Sequence, residues 1–156
     1  MENLKNPEVF VRYYESVYKD LYRYALYMLE NPEDAEDVTG ETVMDAYASI
    51  DKLRDPNAFR SWIFTILSNK CRRKRKEYLQ KTTELPEDLR AEGDMEEAAA
   101  VRAAFAALSP EEQEIIGLKV FGGYKSHEIG EILNLNDNTV RSKIQRGLQK
   151  MRALLE

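Results

Sequence analysis

Residues 126–146 read Ser-His-Glu-Ile-Gly-Glu-Ile-Leu-Asn-Leu-Asn-Asp-Asn-Thr-Val-Arg-Ser-Lys-Ile-Gln-Arg, and this stretch decides the fold. Ile129, Ile132 and Leu133 recur at helical spacing and predict a short helix with its apolar stripe inward. Gly130 leaves room for a neighbouring helix to approach. Asn134 stands where the helix must end in a left-handed residue, a conformation asparagine tolerates better than most. Leu135 plugs the turn. Asn136, Asp137 and Asn138 offer caps for a second helix, with Val140, Ile144, Leu148 and Met151 inward. Such a pair is either a structural helical corner or a helix-turn-helix, whose second helix enters the major groove of DNA. Thr139 to Leu155 holds Arg141, Lys143, Arg146, Lys150 and Arg152 and no acid, which favours DNA. Arg141, Ser142, Lys143, Gln145 and Arg146 face outward near its start. Arginine can read guanine and glutamine adenine, while lysine suits phosphate.

Working outward, Ser109-Pro110-Glu111-Glu112 is a helix start with three agreeing signals: a capping serine, a proline at the first helical position and a capping-box glutamate. Gly122-Gly123 ends that helix, and an Ala-rich helix from Met95 to Leu108 precedes it. From Gln80 to Asp94 the periodicity stops, and Thr82, Thr83, Pro86 and Gly93 among acids make a polar linker. Nearer the N-terminus, Phe10, Tyr14, Val17, Leu21, Tyr24 and Met28 mark a first amphipathic helix, ended at Asn31-Pro32. A second helix runs from Pro32 to about Ile50 with Ala35, Val38, Thr42 (or Val43) and Ala46 inward. A loop around Asp55-Pro56 follows. A third helix carries Phe59, Trp62, Ile63, Ile66 and Leu67 on one stripe and continues to about Leu79. No segment alternates as a strand would. The expected fold is all-α: two small helical domains, 1–79 and 95–156, joined by a flexible acidic linker, 80–94.

Composition narrows the function. The 156 residues include 23 Lys+Arg and 28 Asp+Glu, for a net charge of −5, and the 43% hydrophobic share is enough for a core. No apolar run approaches the roughly 18 residues of a membrane span, and MENLKNPEVF has no secretory pattern. Cys71 and His127 are each the only residue of their kind, which excludes an internal disulfide framework, any cysteine-cluster zinc site and most His/Cys metal sites and histidine-based triads. No catalytic residue, metal or cofactor is expected. The charges are segregated. Glu30 to Asp45 holds seven acids and no base, whereas Lys70, Arg72, Arg73, Lys74, Arg75 and Lys76 lie almost consecutively. That division points to one cationic and one anionic partner, beyond the solvated helix faces that any such run can form.

These residues also match a family. Leu108 to Gln113, Gly122-Gly123-Tyr124, Glu128 to Leu133 and Thr139 to Lys143 closely resemble region 4 of bacterial sigma factors. Asp34 to Thr42, followed by Ala58 to Ile66 and Asn69, resembles sigma region 2. Two regions with a short linker resemble the extracytoplasmic-function (ECF) group. The resemblance implies a protein that is not an enzyme. It would bind core RNA polymerase through the clamp helices and flap of the large subunits, direct it to promoter DNA and help open the duplex. Asp34, Glu36, Asp37 and Glu41 would dock on the basic clamp helices, where opposed fields steer encounter and fix register.

The loop from Asp51 to Ala58 would capture a flipped base of the −10 element, with Leu53 and Asn69 forming the pocket and Lys52 and Arg54 near the backbone. Many relatives carry an aromatic at the position of Leu53, so the preferred base stays open. Lys70, Arg72, Arg73 and the rest of the run to Lys76 would track single-strand phosphates. Arg141, Ser142, Lys143, Gln145 and Arg146 would meet the −35 element. The linker would thread the polymerase interior, as a nucleic-acid mimic or a solvated spacer. Family members are commonly held inactive by an anti-sigma factor, an expected partner here. A bacterial cytoplasmic location follows, near the membrane where an anti-sigma factor holds the protein there.

Phe59 and Trp62 invite a stacking role, but their spacing with Ile63 and Ile66 puts them on the buried stripe. Cys71 lacks a second thiol and reads as incidental rather than redox-active. Two other classes compete. A stand-alone helix-turn-helix regulator explains residues 109–152 but neither the acidic helix nor the basic run. A hydrolase using Glu36 with Glu41 lacks a pocket to shift their pKa values.

Overall fold

The computed structural model describes residues 3–80 and 96–156, in seven α-helices and two short 3-10 turns. The chain divides into two compact units, Met1–Glu84 and Leu85–Glu156. The linker expected over 80–94 lies, past Gln80, outside the described residues.

In the first unit α1 (Pro7–Leu29), α2 (Pro32–Ala48) and α3 (Phe59–Gln80) pack pairwise. Each of the first two helices starts as its sequence dictates. Asn6 and Asn31 accept from backbone N–H groups at 2.9 and 3.1 Å, each followed by proline at the first helical position, and such caps contribute about 1 kcal/mol each. The helix α1 ends at Glu30, in the left-handed region at φ 54°, one residue before the proline-restricted Asn31.

Leu21, Tyr24, Ile63, Phe64 and Leu67 are fully enclosed, each side chain contributing about 1.5–3 kcal/mol of apolar burial. Phe10 meets Phe59 edge-on at 5.7 Å, and Tyr24 meets Phe64 at 6.0 Å. From α2 the buried set is Ala35, Val38, Thr39, Thr42 and Ala46, while Val43 is half-buried. The two threonine hydroxyls satisfy themselves by donating one turn back, to Ala35 O at 2.7 Å and Val38 O at 2.8 Å. On α3 the stripe differs from expectation. Phe64 and Cys71 are buried, whereas Trp62 and Ile66 are only half-buried, with Trp62 tilted against Phe59 at 6.3 Å. The helix is enclosed by two neighbours, so its buried face is wider than one stripe.

The second unit contains α4 (Glu96–Ala106), α5 (Pro110–Val120), α6 (Ser126–Leu133) and α7 (Asp137–Leu155). The helix α7 packs against all three others. The Ser109–Glu112 capping box forms in both directions, at 3.0 and 3.2 Å. The α5 helix stops before Gly122-Gly123, and Gly123 takes φ +74°. Asn134 adopts the left-handed conformation at φ 58°. Gly130 is needed, but for the turn rather than for a helix crossing: a Cβ there would stand 2.6 Å from the Leu135 carbonyl oxygen.

One expectation on α7 is corrected. Leu148 is exposed, and Gly147 is buried in its place, against Ile116. Steps of four residues drift by about 40° each around a helix of 3.6 residues per turn, so the step of three from Ile144 to Gly147 brings the stripe back.

Candidate functional site

Three surfaces carry the sequence-predicted residues. On α2, Glu36, Asp37 and Glu41 are exposed along the helix. Asp34 is not. It is half-buried, and its carboxylate accepts a hydrogen bond from the Tyr78 hydroxyl near the end of α3. Burial and the adjacent Asp34 charge together push the Tyr78 hydroxyl far above the ordinary tyrosine range, so it stays a donor. Asp34 therefore ties α2 to α3 and presents less charge outward than its three companions.

The basic run of α3 does not form one strip, because helical geometry turns successive residues through about 100°. Lys70 lies against α2, its side chain 14% exposed and its Nζ 2.5 Å from Asp45. Arg73 and Lys74 share that side, and with Lys70, Asp37, Glu41 and Glu77 they line a cleft of about 300 Å³. Arg75 turns toward α1 and donates to the Met28 sulfur at 3.8 Å. Arg72 donates to Asn69 Oδ1 at 3.0 Å. The acidic and basic runs, distinct in sequence, thus meet across one cleft between α2 and α3.

The connection from α2 to α3 is folded as two 3-10 turns, Ile50–Lys52 and Pro56–Ala58, with Asp55 capping the second at 3.0 Å. Beside it is a cleft of about 250 Å³. Leu53 and Arg54 line it, as do Ile50, Asp51 and Pro56; neither Asn69 nor Lys52 is among its lining residues. The remaining wall is Asn3, Leu4 and Lys5, which sequence reasoning missed. Their one signal was an apolar Leu4 just before the Asn6-Pro7 helix start. Leu4 is 7% exposed, the Tyr47 hydroxyl donates to the Lys5 carbonyl at 2.9 Å, and Lys5 Nζ stands 2.6 Å from Asp51.

In the second unit Arg141, Ser142, Gln145 and Arg146 are exposed at the start of α7. Arg141 is braced by Asp137 at 2.9 Å and Asn138 at 2.8 Å. Lys143 is half-buried and held by Glu111 of α5 at 2.7 Å. Asn136 caps the helix by accepting from Asn138 N–H at 2.8 Å, so its N-terminus is rigid where side chains must be aimed. His127 is exposed and Cys71 is buried.

The family model of Sigma-70 region 2 matches residues 13–81, and that of Sigma-70 region 4 matches residues 98–151. The chain is 31% identical to the RNA polymerase sigma factor SigV of Bacillus subtilis, with 88% of this chain and 85% of that protein covered. It is 30% identical to the ECF RNA polymerase sigma factor SigW of the same organism, covering 89% and 85%. Among solved structures, the sigma factor RpoE in complex with the anti-sigma factor NepR from Bartonella quintana shares the fold. The TM-score is 0.79 at 24% identity, over 94% of this chain and 96% of that one. CnrH in complex with the cytosolic domain of CnrY gives 0.72 at 26%, over 96% and 89%.

A stand-alone helix-turn-helix regulator accounts for the second unit alone, and the region 2 match sets that alternative aside. Both regions occur in order, and relatives at 30–31% identity cover most of the chain. The chain belongs to the sigma-70 family of RNA polymerase sigma factors, in the ECF group, whose members are non-enzymatic subunits that direct promoter-specific transcription initiation.

Proposed function

We propose the following division of labour within that role. Residues 1–79 engage core polymerase and the −10 element, residues 80–94 link, and residues 95–156 engage the −35 element. Glu36, Asp37 and Glu41 meet the basic clamp helices of the polymerase, with Asp34 acting mainly inside the fold. Leu53 and Arg54 face the captured base of the −10 element, with Lys52 on its backbone. Arg72 and Arg73 meet single-strand phosphates, flanked by Asn69 and Lys70. Arg141, Ser142, Gln145 and Arg146 read the −35 element, and Lys143, tied to Glu111, positions the helix.

The observation that carries this division is the exposure of Glu36, Asp37 and Glu41 along α2 of the first unit and of Arg141, Gln145 and Arg146 at the capped start of α7 in the second. Exposed like charge costs solvation energy little and serves to steer a partner of opposite sign. Such a protein works in the bacterial cytoplasm, where polymerase is. The relatives RpoE and CnrH, seen with NepR and CnrY, suggest that an anti-sigma factor controls this chain too.

Run-off transcription with core RNA polymerase from a related bacterium, over a pooled promoter library, tests the assignment. New transcripts sharing two spaced elements are expected. A polymerase that binds neither the protein nor its N-terminal unit overturns the role given to α2.

A further inference from the structure

The cleft beside the α2–α3 connection has a wall that nothing above assigns. Its volume, about 250 Å³, lies below the roughly 300–1,000 Å³ of pockets for drug-sized ligands, which suits a single base. Buried Leu4 and Ile50 and half-buried Leu53 make it apolar inside, while exposed Lys5, Asp51 and Arg54 give it a polar rim. No aromatic lines it, so a base there would be held by its edges rather than by stacking.

The segment before α1 is fixed rather than draped over the cleft. Leu4 is buried, the Tyr47 hydroxyl holds the Lys5 carbonyl, and the backbone turns into α1 through Asn6 N–H donating to Asn3 O at 3.0 Å. At the rim, Lys5 and Asp51 pair with side chains 65% and 71% exposed. An ion pair that open is worth little and is easily exchanged for a ligand. Separated, it offers a strong donor and a strong acceptor side by side at the rim of the cleft. A carboxylate accepts from the exocyclic amine of cytosine, and an ammonium donates to carbonyl or ring-nitrogen acceptors.

We infer that Lys5 and Asp51 are specificity-determining residues that read the polar edge of an unpaired promoter base seated against Leu53. The inference rests on the assignment of residues 51–58 to the −10 element, and the experiment separates the two.

Holoenzyme reconstituted with the full chain is given a promoter pool randomised through the −10 element, with the −35 element held constant. Lys5→Ala, Asp51→Ala and Leu53→Ala are compared with the parent, and Lys5→Arg serves as the conservative control. The expected result is a change of about fivefold or more in relative base use at one −10 position, the lower end of what a single mismatched position costs. That position is the same for all three variants, and Lys5→Arg restores the parental preference. If Leu53→Ala shifts a base preference and neither rim variant does, the inference is overturned and the loop assignment stands. If none of the three shifts any preference, both fall. A uniform loss over all promoters by Lys5→Ala, with no change in preference, makes the rim pair structural and overturns the inference. Lys5 is exposed, so folding should survive its replacement, and thermal melting of each variant checks this.

Discussion

Gly130 and Leu135 meet backbone to backbone. The Leu135 N–H donates to the Gly130 carbonyl at 2.8 Å, and the Leu135 carbonyl oxygen lies 2.6 Å from where a Cβ on residue 130 would stand. The obstacle is main chain, so it cannot swing aside. Gly130→Ala is therefore expected to destabilise the second unit by about 2 kcal/mol, as overpacking does, despite a helix-propensity gain of about 1 kcal/mol. Gly40 is the control. It is exposed within α2, and a Cβ there meets nothing within 4 Å, so Gly40→Ala should stabilise the first unit by about 0.5–1 kcal/mol. Urea unfolding of the two variants checks both signs.

That contrast shows what could be read from sequence. Gly130 was legible as a place of close approach, but the sequence pointed to a neighbouring helix, whereas the atom it makes room for is the Leu135 carbonyl oxygen, which depends on how the turn folds back. The same holds on α7. Periodicity located Val140 and Ile144, but the choice between Gly147 and Leu148 depends on α5, which presents Ile116 to that side. The capped helix starts at Asn31 and Ser109 are local events, and short-range chemistry was enough to find them. The cleft wall from Asn3 to Lys5 was not found, because burial of Leu4 and the Tyr47 contact join residues 42 apart in sequence. Likewise nothing in the order of residues said that Asp34 would meet Tyr78 rather than face outward.

Acid should weaken the second unit through Glu112. Its carboxyl is held below the ordinary glutamate value of 4.5, first by the Ser109 backbone N–H and further by Lys150, against an opposing effect of burial. A depressed folded-state value means that the charged form is favoured by folding. Its stabilisation is present above pH 4.5 and is lost as the pH falls through the lower folded-state value. Glu112→Gln keeps an acceptor for Ser109 but removes the titrating charge, and with it the pairing to Lys150 at 3.0 Å. The variant should stay folded at neutral pH and show a flatter decline of thermal stability toward acid. An unchanged acid limb would assign the loss to other carboxylates.

On α2 the exposed and the tied acids should behave differently. Asp37→Lys reverses an exposed charge and should weaken binding to core polymerase by about tenfold, mostly in the association rate, with the effect shrinking as salt is raised. Its thermal stability should stay near the parent's. Asp34→Asn should do the reverse. It weakens the Tyr78 contact and lowers the melting temperature of the first unit, while core binding changes little. Equilibrium and stopped-flow binding beside calorimetry separates the pair; equal loss of binding from both would put Asp34 at the interface.

At the −35 element the three cations near the start of α7 should not be equivalent. Arg146 is exposed, and Arg146→Ala should cost about 1–3 kcal/mol at one base position and relax selectivity there. Arg141 must first give up Asp137 and Asn138, contacts that also hold its guanidinium in place. Its replacement loses whatever it gains at DNA but also releases those partners, so the net cost should be smaller. Lys143 is committed to Glu111 across α5. Lys143→Ala should weaken every −35 sequence alike, because what it disturbs is the seating of α7 rather than a base contact. Competition binding of holoenzyme to promoters varied one −35 base at a time distinguishes these outcomes. A uniform loss from Arg146→Ala, with a salt dependence reduced by about one ion, would make Arg146 a phosphate contact. The reading of bases would then fall to Arg141 and Gln145, whose side chains leave the same exposed turn of the helix.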